Sequence, residues 1–266
     1  MHTRQEQLEQ FDRLLTIMKE LRQHCPWDRE QTFESLRTLT IEETYELADA
    51  ILKDDKQEIT KELGDLLLHV VFYAEIGKET GDFDIYDVMY KLSEKLIYRH
   101  PHIYARVEAD NATKVMQNWE DLKLKEKGGN KSVLSGVPKS LPALIKAHRI
   151  QDKARSVGFD WDEKEQVWDK VKEEFEELQA EIGKMDADKM EDEFGDLLFS
   201  IINAGRLYGI NPENALEKTN RKFIERFNYM ESQTIAKGLD LKKMNLEELE
   251  GYWQEAKNHK LRTKNE

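Results

Sequence analysis

The sequence predicts an all-α protein made of two tandem helical units. Each unit is of the four-helix-bundle type and contains an acidic helix hairpin. Three observations carry this expectation. Glycine and proline are scarce, 13 and 5 of 266 residues, so long helices meet few breaks. Apolar residues recur three and four apart along much of the chain, which is the period of one helix face. Five acids, Glu42, Glu43, Glu46, Glu62 and Asp65, recur at the same spacings as Glu173, Glu174, Glu177, Glu193 and Asp196, the mark of an internal repeat.

In the first unit, Phe11, Leu14, Leu15, Met18 and Leu21 predict a helix. It ends near Cys25-Pro26-Trp27-Asp28, because proline disfavours helical geometry in the residue before it. Ile41, Tyr45, Ala48 and Leu52 mark the apolar face of the next helix, and Leu63, Leu66, Leu67 and Val70 that of its partner. His69, inside this apolar stretch, reads as a core histidine. Gly77, Gly81 and Asp82 signal a loop. A fourth helix is expected from about Asp84 to Arg99, stopped by Pro101. A fifth is expected from about Thr113 to Lys125, with Val115, Trp119 and Leu122 on it. From Lys125 to Pro142 glycine, serine, proline and lysine concentrate. This sets domains at 1–127 and 143–266 with a linker at 128–142. The linker's Gly128-Gly129-Asn130-Lys131-Ser132 lacks the earlier glycine of a phosphate-binding loop.

The second unit repeats the order. A helix from Leu144 to Arg155 breaks at Val157-Gly158-Phe159-Asp160-Trp161. Val171, Phe175, Leu178 and Ile182 line one helix; Phe194, Leu197, Leu198, Ile201 and Ile202 line the next. A turn at Tyr208-Gly209-Ile210-Asn211-Pro212 leads to a helix from Ala215 to Met230. Lys237-Gly238 closes a helical stretch, and Leu246 to Lys257 is the last patterned helix. The repeat extends beyond the acids: Lys95 and Arg99 match Lys222 and Arg226, and Trp119 with Lys123 matches Trp253 with Lys257.

Folding the acidic stretch of the second unit into an antiparallel hairpin about residue 185 sets Glu174 level with Asp196 and Glu177 level with Glu193. Residues three apart share a helix face, and the two rungs lie roughly 4.5 Å apart along the axis. That is near the spacing of two-metal sites. The same construction about Asp54 pairs Glu43 with Asp65 and Glu46 with Glu62. Four crowded carboxylates repel unless a cation neutralises them. Oxygen-only donors suit Mg2+ or Mn2+ rather than zinc. No Glu-x-x-His occurs, which disfavours a di-iron bundle. The competing reading is a pair of solvated acidic faces on a non-catalytic helical adaptor. Lys222 and Arg226 are four apart and share a face, which suits phosphate. Trp253 offers a stacking face for a base.

The net charge of −13 disfavours a nucleic-acid binder. The single cysteine, Cys25, excludes a disulfide framework within the chain. The opening residues carry no apolar signal core, and no apolar run approaches a membrane span. A soluble cytoplasmic protein with no membrane partner is expected.

Glu42-Glu43-Thr44-Tyr45-Glu46 with Glu62-Leu63-Gly64-Asp65, repeated in the second unit, resembles the signature of the all-α nucleoside triphosphate pyrophosphohydrolases. Cys25-Pro26-Trp27-Asp28, Arg99-His100-Pro101-His102, Ser140-Leu141-Pro142-Ala143-Leu144 and Val157-Gly158-Phe159-Asp160-Trp161 resemble tandem-domain members of that family. The likeness covers nearly the whole chain. It implies Mg2+-dependent hydrolysis between the α- and β-phosphates of a nucleoside triphosphate. By that resemblance Glu174, Glu177, Glu193 and Asp196 hold metal, and Glu173 or the metal-bound carboxylate of Glu174 takes a proton from the attacking water. Lys189, Lys222 and Arg226 hold phosphates, and Trp253 contacts the nucleoside. It further implies a homodimer whose C-terminal half is the active one. A relative specialised for one deoxynucleotide or for phosphoribosyl-ATP is the alternative within this class. The first copy's spacing from Asp65 to Lys95 is longer, and from Lys95 to Trp119 shorter, than in the second. Its nucleotide pocket is therefore expected to differ.

Overall fold

A computed structural model describes residues 1–105, 122, 132–161 and 163–263. These form eleven α-helices, three short 3₁₀ turns and no strand, so the protein is all-α. The chain divides into two compact units, Met1–Val115 and Met116–Glu266. Leu122 is helical. The rest of the helix expected from Thr113 to Lys125, Trp119 included, lies outside the described residues, as do residues 128–131 of the expected linker.

The first unit runs α1 (Arg4–His24), α2 (Pro26–Glu30), α3 (Phe33–Lys53), α4 (Lys56–Thr80), α5 (Ile85–Arg99) and α6 (Pro101–Tyr104). Pro26 does not merely stop α1. It opens α2, because the first helical position needs no N–H donor and proline's fixed φ suits it. Pro101 opens α6 in the same way. Helix α4 packs along α3 and also against α1 and α5. Met18, Leu36, Val71, Phe72 and Ile76 form the core between them, with Leu14, Leu15, Leu39 and Leu68 around it.

Arg22 ties three helices of this unit together. It is buried on α1. It donates to the backbone carbonyl of Asp28 in α2 and to that of Gln31, 3.1 Å away. Its Nε donates to Glu79 Oε1 on α4 at 2.8 Å, and this contact holds the Glu79 carboxyl below its ordinary range. Replacing Arg22 by leucine leaves two carbonyls and a carboxylate without their donor. The expected loss is about 2–4 kcal/mol of unfolding free energy, read by urea denaturation. A loss below about 0.5 kcal/mol, the range of ordinary surface changes, would show that the tie carries no stability.

The second unit runs α7 (Ala143–Ser156), α8 (Val167–Lys184), α9 (Ala187–Leu207), α10 (Pro212–Ala236) and α11 (Leu246–Thr263). Helix α9 packs along α8 and touches α7 and α10; α10 packs on α7 and α11. Val167, Leu178, Ile202, Ala204, Met230 and Ala256 are its buried apolar residues. Arg206 on α9 is buried and donates to Asp160 Oδ2 at 3.1 Å, which anchors the loop around Phe159 and Trp161.

The apolar faces differ from the sequence expectation. Leu178 and Ile202 are buried as expected. Ile41, Tyr45, Leu63, Leu67 and Val70 of the first hairpin are exposed, as are Phe175, Ile182, Phe194, Leu198 and Ile201 of the second. Each hairpin is apolar over more of its circumference than one chain covers. His69 is buried, as a core histidine should be, and desolvation pushes its pKa down.

Candidate metal centre

The hairpin turns set the register of the acids. Asp54 and Met185, at matching places in the repeat, both adopt left-handed backbone with φ of 55° and 60°. Each is followed by an aspartate that caps the next helix. Asp55 accepts from the N–H groups of Gln57 at 3.0 Å and Glu58 at 3.2 Å. Asp186 accepts from the N–H of Lys189. Left-handed backbone is rarely visited by non-glycine residues, and Met185 lacks the short polar side chain that eases it for Asp54. A reversal this tight fixes which residues of the two helices lie level.

In the second unit Glu174 and Glu177 from α8 and Glu193 from α9 each offer a carboxylate oxygen, and these oxygens lie within 4.8 Å of one another. Glu174 is buried, Glu193 half-buried and Glu177 exposed. In the first unit Glu43, Glu62 and Asp65 converge in the same way. Four acids were expected to converge in each hairpin, and three do. Asp196 stands outside the second triad and Glu46 outside the first. Mutual repulsion disfavours full convergence of four carboxylates without a cation. The crowding also shows in proton affinity. The Glu177 carboxyl is pushed above its ordinary range by desolvation, then by Glu174, Glu193 and Glu173. Glu43 is raised by desolvation, then by Asp65, Glu46 and Glu62. Three clustered oxygen donors suit a hard divalent cation.

One participant was missed in the sequence. Lys170 on α8 places its Nζ 2.7 Å from Glu174 Oε1 and 3.0 Å from Glu173 Oε1. The spacing of four and three residues was the available signal. Glu173 is exposed and stands outside the triad. Lys189, in the first turn of α9, faces its capping Asp186 with Nζ 3.7 Å from Oδ2.

The remaining expected residues gather on α10 and α11. Lys222 is exposed and Arg226 half-buried on α10. The Arg226 guanidinium lies over the Trp253 ring, 5.7 Å from its centroid, within cation–π range. Phe223 packs on the same ring with centroids 4.9 Å apart. Among the described residues, no hydrogen bond or ion pair joins Lys222, Arg226 or Trp253 to the triad.

Two all-α units, each with facing carboxylates on an internal hairpin, define a tandem helical protein with an acidic cluster in each unit. The model of the MazG nucleotide pyrophosphohydrolase domain matches the chain twice, at residues 31–104 and 163–230. The chain is 44% identical over 261 residues to the nucleoside triphosphate pyrophosphohydrolase of Escherichia coli K12, covering 96% of this chain and 99% of that protein. It is 46% identical over 250 residues to the nucleoside triphosphate pyrophosphohydrolase/pyrophosphatase MazG of Thermotoga maritima, covering 93% and 95%. The chain belongs to the MazG nucleotide pyrophosphohydrolase family, with the domain present in tandem, and is an enzyme of that class.

Proposed function

We propose that the chain hydrolyses nucleoside triphosphates between the α- and β-phosphates, releasing nucleoside monophosphate and pyrophosphate. The triad of Glu174, Glu177 and Glu193 carries this reading, and the printed names of the relatives point the same way. These three, with Asp196 on the same hairpin, hold Mg2+, and Mn2+ can replace it. A bound ion supplies positive charge at the reacting phosphate and lowers the pKa of an attacking water. Glu173 or Glu174 takes the proton of that water; both carboxylates lie beside Lys170. Lys189, Lys222 and Arg226 bind phosphate oxygens through charge-assisted hydrogen bonds. Trp253, packed against Phe223, contacts the nucleoside.

The working form in this reading is a cytoplasmic homodimer with domains at 1–127 and 143–266 joined by a linker at 128–142. Large exposed apolar residues on both hairpins support a partner surface, since such patches mark interaction sites. Among the described residues no helix is long and apolar enough to cross a membrane. The charge of −13 argues against nucleic acid as a partner. Substrate range is broad, as nucleotide-pool control requires.

The test is a panel of ribo- and deoxynucleoside triphosphates plus phosphoribosyl-ATP, with Mg2+ and with EDTA. Monophosphate and pyrophosphate are expected in equal amounts from many bases, with turnover abolished by EDTA. Turnover of a single panel member would replace the broad reading by a specialised one. Absence of pyrophosphate release from every member would remove the proposed reaction.

A further inference from the structure

We infer that Lys170 is a resident counter-ion that holds down the affinity of the second hairpin for a divalent ion on its own. The inference rests on the metal reading of that hairpin. Its ammonium touches Glu174, the most buried member of the triad, and Glu173 as well. A divalent ion entering the triad therefore meets a fixed like charge a few ångströms away. Residues three and four apart share a face, so Glu173 and Glu174 both hold the ammonium on this side of the helix.

The first hairpin reaches a similar arrangement by another route. The residue at the place matching Lys170 is Leu39. There the ammonium comes from Lys61 on α4 and lies 2.8 Å from Glu62 Oε1. Glu62 is the most buried acid of its triad, at 2% exposure, and its other oxygen, Oε2, is buried without a hydrogen-bond partner. Each hairpin thus sets one ammonium on its most buried carboxylate, from a different helix in each case. Conserving the charge while changing its source fits an electrostatic duty rather than a packing one.

The consequence concerns order of loading. Alone, the ion binds against the lysine charge. A nucleotide brings phosphate charge of opposite sign, so ion and nucleotide bind more tightly together than apart. Removing the lysine charge should release the constraint. By Coulomb's law, a unit charge about 5 Å from a divalent ion in a water-like medium changes its affinity about tenfold.

The experiment is Mn2+ titration of the full chain without nucleotide, followed by calorimetry and electron paramagnetic resonance. A Glu62→Gln background suppresses binding at the first hairpin. Lys170→Met should tighten Mn2+ binding about tenfold, and Lys170→Arg, which keeps the charge, should stay near the parent. Circular dichroism confirms retained helix. Unchanged or weaker binding in Lys170→Met, with the parent binding normally, overturns the inference and leaves the metal reading standing. No saturable, Glu177-dependent Mn2+ binding in either the parent or Lys170→Met overturns the metal reading and the inference with it.

Discussion

Glu174→Gln combined with Glu177→Gln should lower kcat/KM by at least about a thousandfold, roughly 4 kcal/mol of transition-state stabilisation. Glutamine keeps the side-chain volume and removes the charge. Two of the three converging oxygens of the second triad then become neutral amide donors or acceptors, which hold a hard cation poorly. Folding should not suffer. Neutralising Glu177 removes one of the crowded charges, while neutralising Glu174 gives up its contact with Lys170. Without metal, the melting temperature of the double variant should stay close to that of the parent. The paired comparison is Glu43→Gln with Glu46→Gln, which should keep most activity. The two units differ where it matters. Helix α10 runs unbroken from Pro212 to Ala236 through Lys222 and Arg226. Helix α5 ends at Arg99, and Pro101 begins a separate four-residue helix. Circular dichroism and gel filtration confirm fold and assembly. If both double variants lose activity equally with fold and assembly intact, the proposed division of labour between the units is wrong.

The hairpin register was legible in the sequence because two helices joined by so tight a turn have little freedom to slide. Acids at equal distances from Asp54 or Met185 must lie near one level, and the structure gathers three of each four. Which acid falls outside each triad was not legible. Rotation of a flexible side chain depends on the summed field of its neighbours, Lys170 and Lys61 included, rather than on spacing alone. The first unit leaves out Glu46 and the second leaves out Asp196, although the repeat makes the two hairpins alike in sequence. The short helix α2 was hidden because Pro26 was read as a stop when it also serves as a start. The apolar faces were misassigned for another reason. Periodicity reports which residues share a helix face, not how much of that face the rest of the chain covers. Tyr45 and Phe194 belong to apolar stripes and remain more than half exposed, at 56% and 54%.

Arg226→Ala should lower kcat/KM about a hundredfold, close to 3 kcal/mol, the range for removing one donor to a developing anionic centre. The structure gives Arg226 no carboxylate to pair with among the described residues. Its Nε is buried without a hydrogen-bond partner, and its guanidinium is held by the face of Trp253. The ring contact steadies the group without engaging it in an ion pair, which suits contact with a phosphate. An arginine engaged in an ion pair would have to break it first. Lysine at this position cannot reproduce the fork or the stacking, so Arg226→Lys should recover only part of the loss. Trp253→Ala removes the platform and should reduce activity in the same direction, while Trp253→Phe keeps an aromatic face and should recover most of it. Lys222→Ala, one helical turn earlier and exposed, should cost less, about tenfold, because its flexible ammonium is already well solvated. Steady-state kinetics with a good triphosphate substrate at saturating Mg2+ separates effects on kcat from effects on KM. Unchanged kcat and KM in both Arg226→Ala and Lys222→Ala would leave these residues as surface charges and move the phosphate site elsewhere.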